Sequence, residues 1–138
     1  MSIEFFYEET DFRLSQEEKL KRWVSKIISN EGYELENLNY IFCSDDYLHK
    51  INLAYLKHDT LTDIITFDNS ETENTIDSDI FISTDRVKEN SSELNTLFED
   101  ELNRVLIHGV LHLMGWSDKT NELKQEMRTK EDACLSLR

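Results

Sequence analysis

Apolar residues recur along this chain in two rhythms, one suited to strands and one to helices. Residues 3–7 (IEFFY) combine aromatic and branched side chains and predict a first strand. Ser15, followed by Glu17 and Glu18, marks a helix start. Leu20, Trp23, Val24, Ile27 and Ile28 then repeat at helical spacing until Gly32 closes the run. Residues 38–43 predict a second strand. A helix over about 45–56 follows, with Leu48, Ile51, Leu53 and Tyr55 as its apolar positions. Residues 64–67 and 76–82 predict two more short strands, joined by the polar stretch 69–74. From residue 85 onward the pattern is helical. Leu97, Leu102, Val105, Leu106, Gly109, Val110 and Leu113 make its broadest apolar face. A last helix over about 121–137 turns Leu123, Met127 and Cys134 inward.

Strands come early and helices late, which predicts an α+β fold: a small mixed β-sheet of about four strands covered by about five helices. There is no proline and there are only three glycines, so no linker or repeat divides the chain, and residues 1–138 are expected to form a single domain.

Composition narrows the class. Hydrophobic residues make up 38% and charged residues 32%, the balance of a globular protein. No apolar run approaches the roughly 20 residues that span a bilayer, and the first residues, MSIEFFYEETDF, are acidic where a secretory signal is basic. A cytoplasmic location is the expectation. Cys43 and Cys134 form no C-x-x-C pair, so they are expected as buried apolar groups, and any metal must rest on histidine and carboxylate. The net charge of −14 repels nucleic acid and anionic membranes on average. Neither a membrane nor DNA is an expected partner, and an RNA substrate requires a local basic patch.

The segment 105–119, VLIHGVLHLMGWSDK, carries the chemistry. His108 and His112 stand four apart in an apolar helix, so their side chains lie on one face a turn apart. Gly115 is a natural helix stop. Beyond it the chain can turn back and bring Asp118 in as a third ligand. Two histidines and one carboxylate leave a tetrahedral position open for water, the arrangement of a catalytic zinc site. Imidazole favours Zn2+, one ion per chain, although iron, nickel and manganese also accept such a donor set. A zincin protease carries Glu directly after its first histidine. Here that position is Gly109, which removes that proton acceptor and lets another segment pack close. Of the other histidines, His49 reads as a solvated surface residue. His58 lies in a loop feeding a strand and is the nominee for acid or base. Arg104, one turn before His108, either brings positive charge to the metal or pairs with Asp100 on the helix surface.

The stretch HGVLHLMGWSD resembles the signature of the YbeY family of bacterial metal-dependent endoribonucleases, H-G-x-L-H-L-x-G-Y-D-H. His108, Gly109, Leu111, His112, Leu113 and Gly115 match it, and Trp116 stands where tyrosine is usual. INLAYLKHDTLTDIITFD is similar to a second family block through Asn52, Tyr55, Asp59, Thr62 and Phe67, and SDIFIS at 78–83 to a third. The departures are Asp118 for the third histidine, Leu56 for an arginine, His58 for a lysine and Leu61 for a proline. The resemblance implies a metalloprotease-like layout around a metal helix, with zinc in a cleft where that helix faces the sheet. It also implies single-strand-specific, zinc-dependent endoribonuclease activity in ribosomal RNA maturation and ribosome quality control. The expected partners are ribosomal RNA and ribosomal proteins. RNA would be held by Lys57, Arg86, Lys88 and Arg104, with Thr62 and Asp63 orienting either the groups behind the metal ligands or the substrate. Two other readings compete. One is a ribosome-assembly factor with a structural metal that binds ribosomal proteins. The other is a metallohydrolase of peptides or esters.

Overall fold

Alternation along four strands builds the sheet, which the computed structural model describes together with the rest of residues 2–58 and 61–138. Strand β1 (Ser2–Glu8) runs parallel to β2 (Glu34–Cys43), setting Ile3 beside Leu38, Phe5 beside Tyr40 and Tyr7 beside Phe42. Strand β2 is in turn parallel to β4 (Thr75–Ser83), and β3 (Ile64–Asp68) returns antiparallel on β4. The order β1-β2-β4-β3 makes the sheet mixed, as the pattern predicts, and five α-helices cover it.

One face of the sheet carries Leu38, Tyr40, Phe42, Ile76, Ile80 and Ile82, all essentially without solvent contact. Helix α1 (Glu17–Asn30) packs on it through Trp23, Val24, Ile27 and Ile28, the residues its periodicity selects. Its N-cap is Gln16 without a side-chain hydrogen bond, so Ser15 does not cap it as expected. Helix α4 (Phe98–Leu113) buries Leu102, Val105, Leu106, Ile107, Val110 and Leu111. It is therefore covered nearly all round and forms the spine of the domain. The Tyr40 hydroxyl donates to the Leu106 carbonyl at 3.0 Å, which satisfies the phenol inside the core. The other face is smaller: Cys43, Ile65, Phe67 and Phe81 meet Leu48 of α2 (Asp45–Ile51).

Two expected helices differ in detail. The helix predicted over 45–56 is α2 capped by Ser44, then a π-helical turn, Asn52–Leu56, which Lys57 ends in the left-handed conformation. The wider turn buries Asn52 and leaves Leu53, Tyr55 and Leu56 exposed, so only Leu48 of the predicted apolar stripe is fully buried. The long helical region from residue 85 is two helices, α3 (Thr84–Leu94) and α4, separated where Asn95 turns left-handed. Leu97 is the N-cap of α4 and 71% exposed, because the inward stripe begins after it. Helix α5 (Asn121–Leu135) closes the domain. The Trp23 indole donates to the Cys134 carbonyl at 2.9 Å, pinning α5 to α1.

Both cysteines are buried and unpaired, as expected. Burial pushes the Cys43 thiol up to about 12, helped by Asp45 and Asp85, so it is inert at neutral pH. Among the described residues no helix is long and apolar enough to cross a membrane.

Candidate metal centre

Helix α4 lies unusually close to the sheet because of one missing side chain. A Cβ on Gly109 would stand 2.8 Å from Cδ1 of Ile64 and 3.1 Å from Cδ1 of Ile80. The close approach brings His108 and His112, which flank this contact, to the edge of β3. Their rings meet edge to face with centroids 4.6 Å apart.

The end of α4 then delivers the third group. Gly115 adopts φ +94°, its N–H donates to the His112 carbonyl at 3.1 Å, and the Trp116 N–H donates to the Leu111 carbonyl at 3.0 Å. This is a Schellman stop with glycine at the left-handed position. Trp116 is anchored in turn: its indole donates to Glu31 at 3.3 Å and the Lys130 ammonium lies 5.5 Å over its ring. The reversed chain places Asp118 Oδ2 at 3.5 Å from His108 Nε2 and 3.4 Å from His112 Nε2. One atom of each residue lies within 4.8 Å of the others, so the three can hold a metal ion. A tetrahedral ion with bonds of about 2.0–2.1 Å has ligand-to-ligand edges of about 3.3–3.4 Å. The two distances to Asp118 match that edge, and the donor set fits the ion.

Behind the ligands stands a residue that the sequence reading missed. Glu131 of α5 is buried, and its Oε2 lies 2.5 Å from His108 Nδ1. The other oxygen accepts from Arg104 Nη1 at 2.9 Å, and Arg104 Nη2 reaches Asp132 at 2.5 Å. The arrangement commits Nδ1 of His108 to the carboxylate and leaves Nε2 facing Asp118. Burial alone would lower the His108 pKa. The Glu131 hydrogen bond and charge, with Asp118 and Asp63, outweigh it and hold the imidazole above its ordinary value. A signal for Glu131 exists in the sequence, since it falls on the inward stripe of α5 between Met127 and Cys134, where a carboxylate needs a buried partner.

Arg104 thus pairs across to α5, and Asp100, the partner in one of its two expected roles, binds Arg138 at 3.1 Å. Two cavities meet at the ligands. One, of about 520 Å³, opens between Thr62, Asp63, Thr66, His112 and Asp118. The other, of about 280 Å³, lies between Asp63, Glu101, Arg104, His108, Lys124 and Arg128. Lys124 and Arg128 are cations that the sequence reading did not select. Arg86, which it did select, is held by Asp45 at 3.1 Å and lines neither cavity. Lys57 and Lys88 are exposed and also line neither. His58 lines a neighbouring cavity that shares Thr62, Ile64 and Thr66 with the metal cleft. Its neighbour Asp59 lies outside the described residues. His49 is half-buried on α2, less solvated than expected.

Comparison with known proteins follows the same outline. A family model described as Endoribonuclease YbeY matches residues 4–137. The chain is 53% identical over 137 residues to the Endoribonuclease YbeY of Cytophaga hutchinsonii, covering 99% of this chain and 96% of that one. It is 50% identical over 132 residues to the protein of the same name from Christiangramia forsetii, covering 96% and 92%. Among solved structures, the solution structure of TM1509 from Thermotoga maritima superposes with a TM-score of 0.71 at 28% identity, covering 96% of this chain and 87% of that one.

Proposed function

The chain belongs to the Endoribonuclease YbeY family, and on that premise we propose that it is a zinc-dependent, single-strand-specific endoribonuclease of ribosomal RNA maturation and ribosome quality control, working in the cytoplasm. The observation that carries this reading is Asp118 Oδ2 at 3.4–3.5 Å from both Nε2 atoms, completing an open three-ligand set without the usual third histidine. Bound there, zinc supplies a Lewis acid for the scissile phosphate and a water of lowered pKa.

The protein groups do the rest. Glu131 accepts the Nδ1–H of His108 and so keeps the Nε2 lone pair available for the ion. Arg104 acts through Glu131 as a positioning residue. Lys124 and Arg128 receive RNA phosphates in the cavity beside His108, replacing the cation lost at Leu56. Thr62 and Asp63 face the open cleft and orient the chain to be cut, and His58 serves proton transfer from the adjoining cavity.

Elemental analysis of untagged protein, paired with cleavage of single-stranded and duplex RNA, tests the proposal. One zinc per chain, lost in Asp118→Ala together with single-strand cleavage, is the expected result. Undiminished cleavage in His112→Ala would refute it. The strongly negative chain also suits attraction to basic ribosomal proteins, so a second reading makes it an assembly factor with a structural metal. That reading is favoured if a folded, cleavage-dead variant still co-sediments with ribosomal subunits and restores their maturation.

A further inference from the structure

A further cavity, of about 240 Å³, lies where the first turn of α1, the start of α4 and the chain's C-terminal end converge, and the metal chemistry does not use it. Its body is apolar: Leu20 and Trp23 from α1 face Phe98 and Leu102 from α4. A cavity of about 150 Å³ lined by such residues takes up benzene. This one has room for a substituted ring with a short arm.

Two features make it more than a packing defect. The first is Asn103. It lines the cavity, is only 4% exposed, and its carboxamide makes no hydrogen bond among the described residues. Its polar atoms open onto the cavity, since among the described residues only Ser78 Oγ is a solvent-sealed side-chain polar atom without a hydrogen bond, so an occupant's hydroxyl can meet the carboxamide there. The second is charge. In a chain of net charge −14, the lining holds Arg13, Lys19 and Arg138 beside Glu99, and because Arg138 is paired with Asp100 at 3.1 Å, Arg13 and Lys19 are the cations that face the rim. Arg13 is fixed by donating to the Thr10 and Phe12 carbonyls and by lying over the Tyr7 ring. Lys19 has no ion pair among the described residues.

We propose that this cavity binds a small aromatic carboxylate bearing a ring hydroxyl. The ring stacks between Trp23, Leu20 and Leu102, the hydroxyl pairs with the Asn103 carboxamide, and the carboxylate sits at the rim beside Arg13 and Lys19. Both ends are needed. The carboxylate selects for this cavity within an otherwise acidic surface, and the hydroxyl bonds the carboxamide that faces the cavity. The site is independent of the metal centre and does not rest on the nuclease reading.

The molecule carries its own control for the test. Trp23 lines this cavity, while Trp116 does not and is bonded to Glu31. Titration of the full chain with 4-hydroxyphenylacetate, followed by the two indole N–H resonances, should shift Trp23 saturably at millimolar concentration and leave Trp116 in place. Phenylacetate, lacking the hydroxyl, should bind on the order of fivefold more weakly, and tyramine, with a cation for the carboxylate, should not bind. Asn103→Leu should erase the preference for the hydroxyl, and Leu20→Trp, at a half-buried position, should fill the cavity and abolish binding in a folded chain. The proposal is overturned if neither acid shifts Trp23, if tyramine binds as well as the acids, or if Leu20→Trp leaves binding intact.

Discussion

At the scale of single residues, the metal centre is a ladder of charges, each fixed by the next. Asp132 and Glu131 hold Arg104, Glu131 holds His108, and His108 shares its open side with His112 and Asp118. Removing a rung behind the ligands weakens metal binding without removing a ligand. Glu131→Gln should therefore lower zinc affinity by about 10–100-fold, measured by competition with a chromogenic chelator, while the fold persists. Glu101, one face-repeat before His108, behaves differently. Burial raises its carboxyl pKa; Arg104 opposes and Asp63 reinforces the shift. The folded state then binds that proton more tightly than the unfolded chain does. The stabilisation this gives is fully present below the ordinary glutamate value and is lost as pH rises through the folded value. Glu101→Gln should be more stable than the parent at pH 7 in urea unfolding, and the difference should close in acid. A difference that persists unchanged at low pH would assign it to packing instead.

At the scale of elements, two glycines decide where α4 sits and where it ends. An alanine at Gly109 tightly meets the side-chain ends of Ile64 and Ile80, which can turn aside, and Cγ2 of Ile80 at an ordinary 3.4 Å, and it gains about 1 kcal/mol of helix propensity. These effects nearly cancel, so Gly109→Ala should change stability by less than about 1 kcal/mol. Gly109→Val, with branches that cannot be so accommodated, should lose about 1–3 kcal/mol, read by chemical denaturation. Gly115 has open space around it, yet its φ of +94° strains any other residue. The same scale explains which helices were misjudged in extent. Residues 45–56 have a helical pattern throughout, and the pattern does not register that the last turn widens to bury Asn52. Leu97 belongs to the apolar stripe by spacing, but the left-handed Asn95 breaks the helix before it.

At the scale of the whole molecule, the net charge of −14 and the cluster Arg104, Lys124 and Arg128 pull in opposite directions. Arg104 is already neutralised by two carboxylates, which leaves two cations for phosphate. Two contacts to a single strand give a salt slope of about −1.4, so RNA affinity should fall roughly sevenfold between 50 and 200 mM salt. A filter-binding series would measure it, and a much steeper slope would mean that further cations outside this cavity take part. What the sequence by itself determined is local: strands from alternation, helices from the 3.6-residue rhythm, and the pair His108 and His112 from a four-residue spacing that one helix turn enforces. Asp118 was legible too, because Gly115 announces the turn that returns it. The tertiary structure alone decided the rest. Glu131 meets His108 across 23 residues of chain, Lys124 and Arg128 come to the site on a separate helix, and Arg86 is drawn off to Asp45. Periodicity encodes which face of an element turns inward, but the register in which two elements meet is set by their packing, and it is at those contacts that charges find their partners.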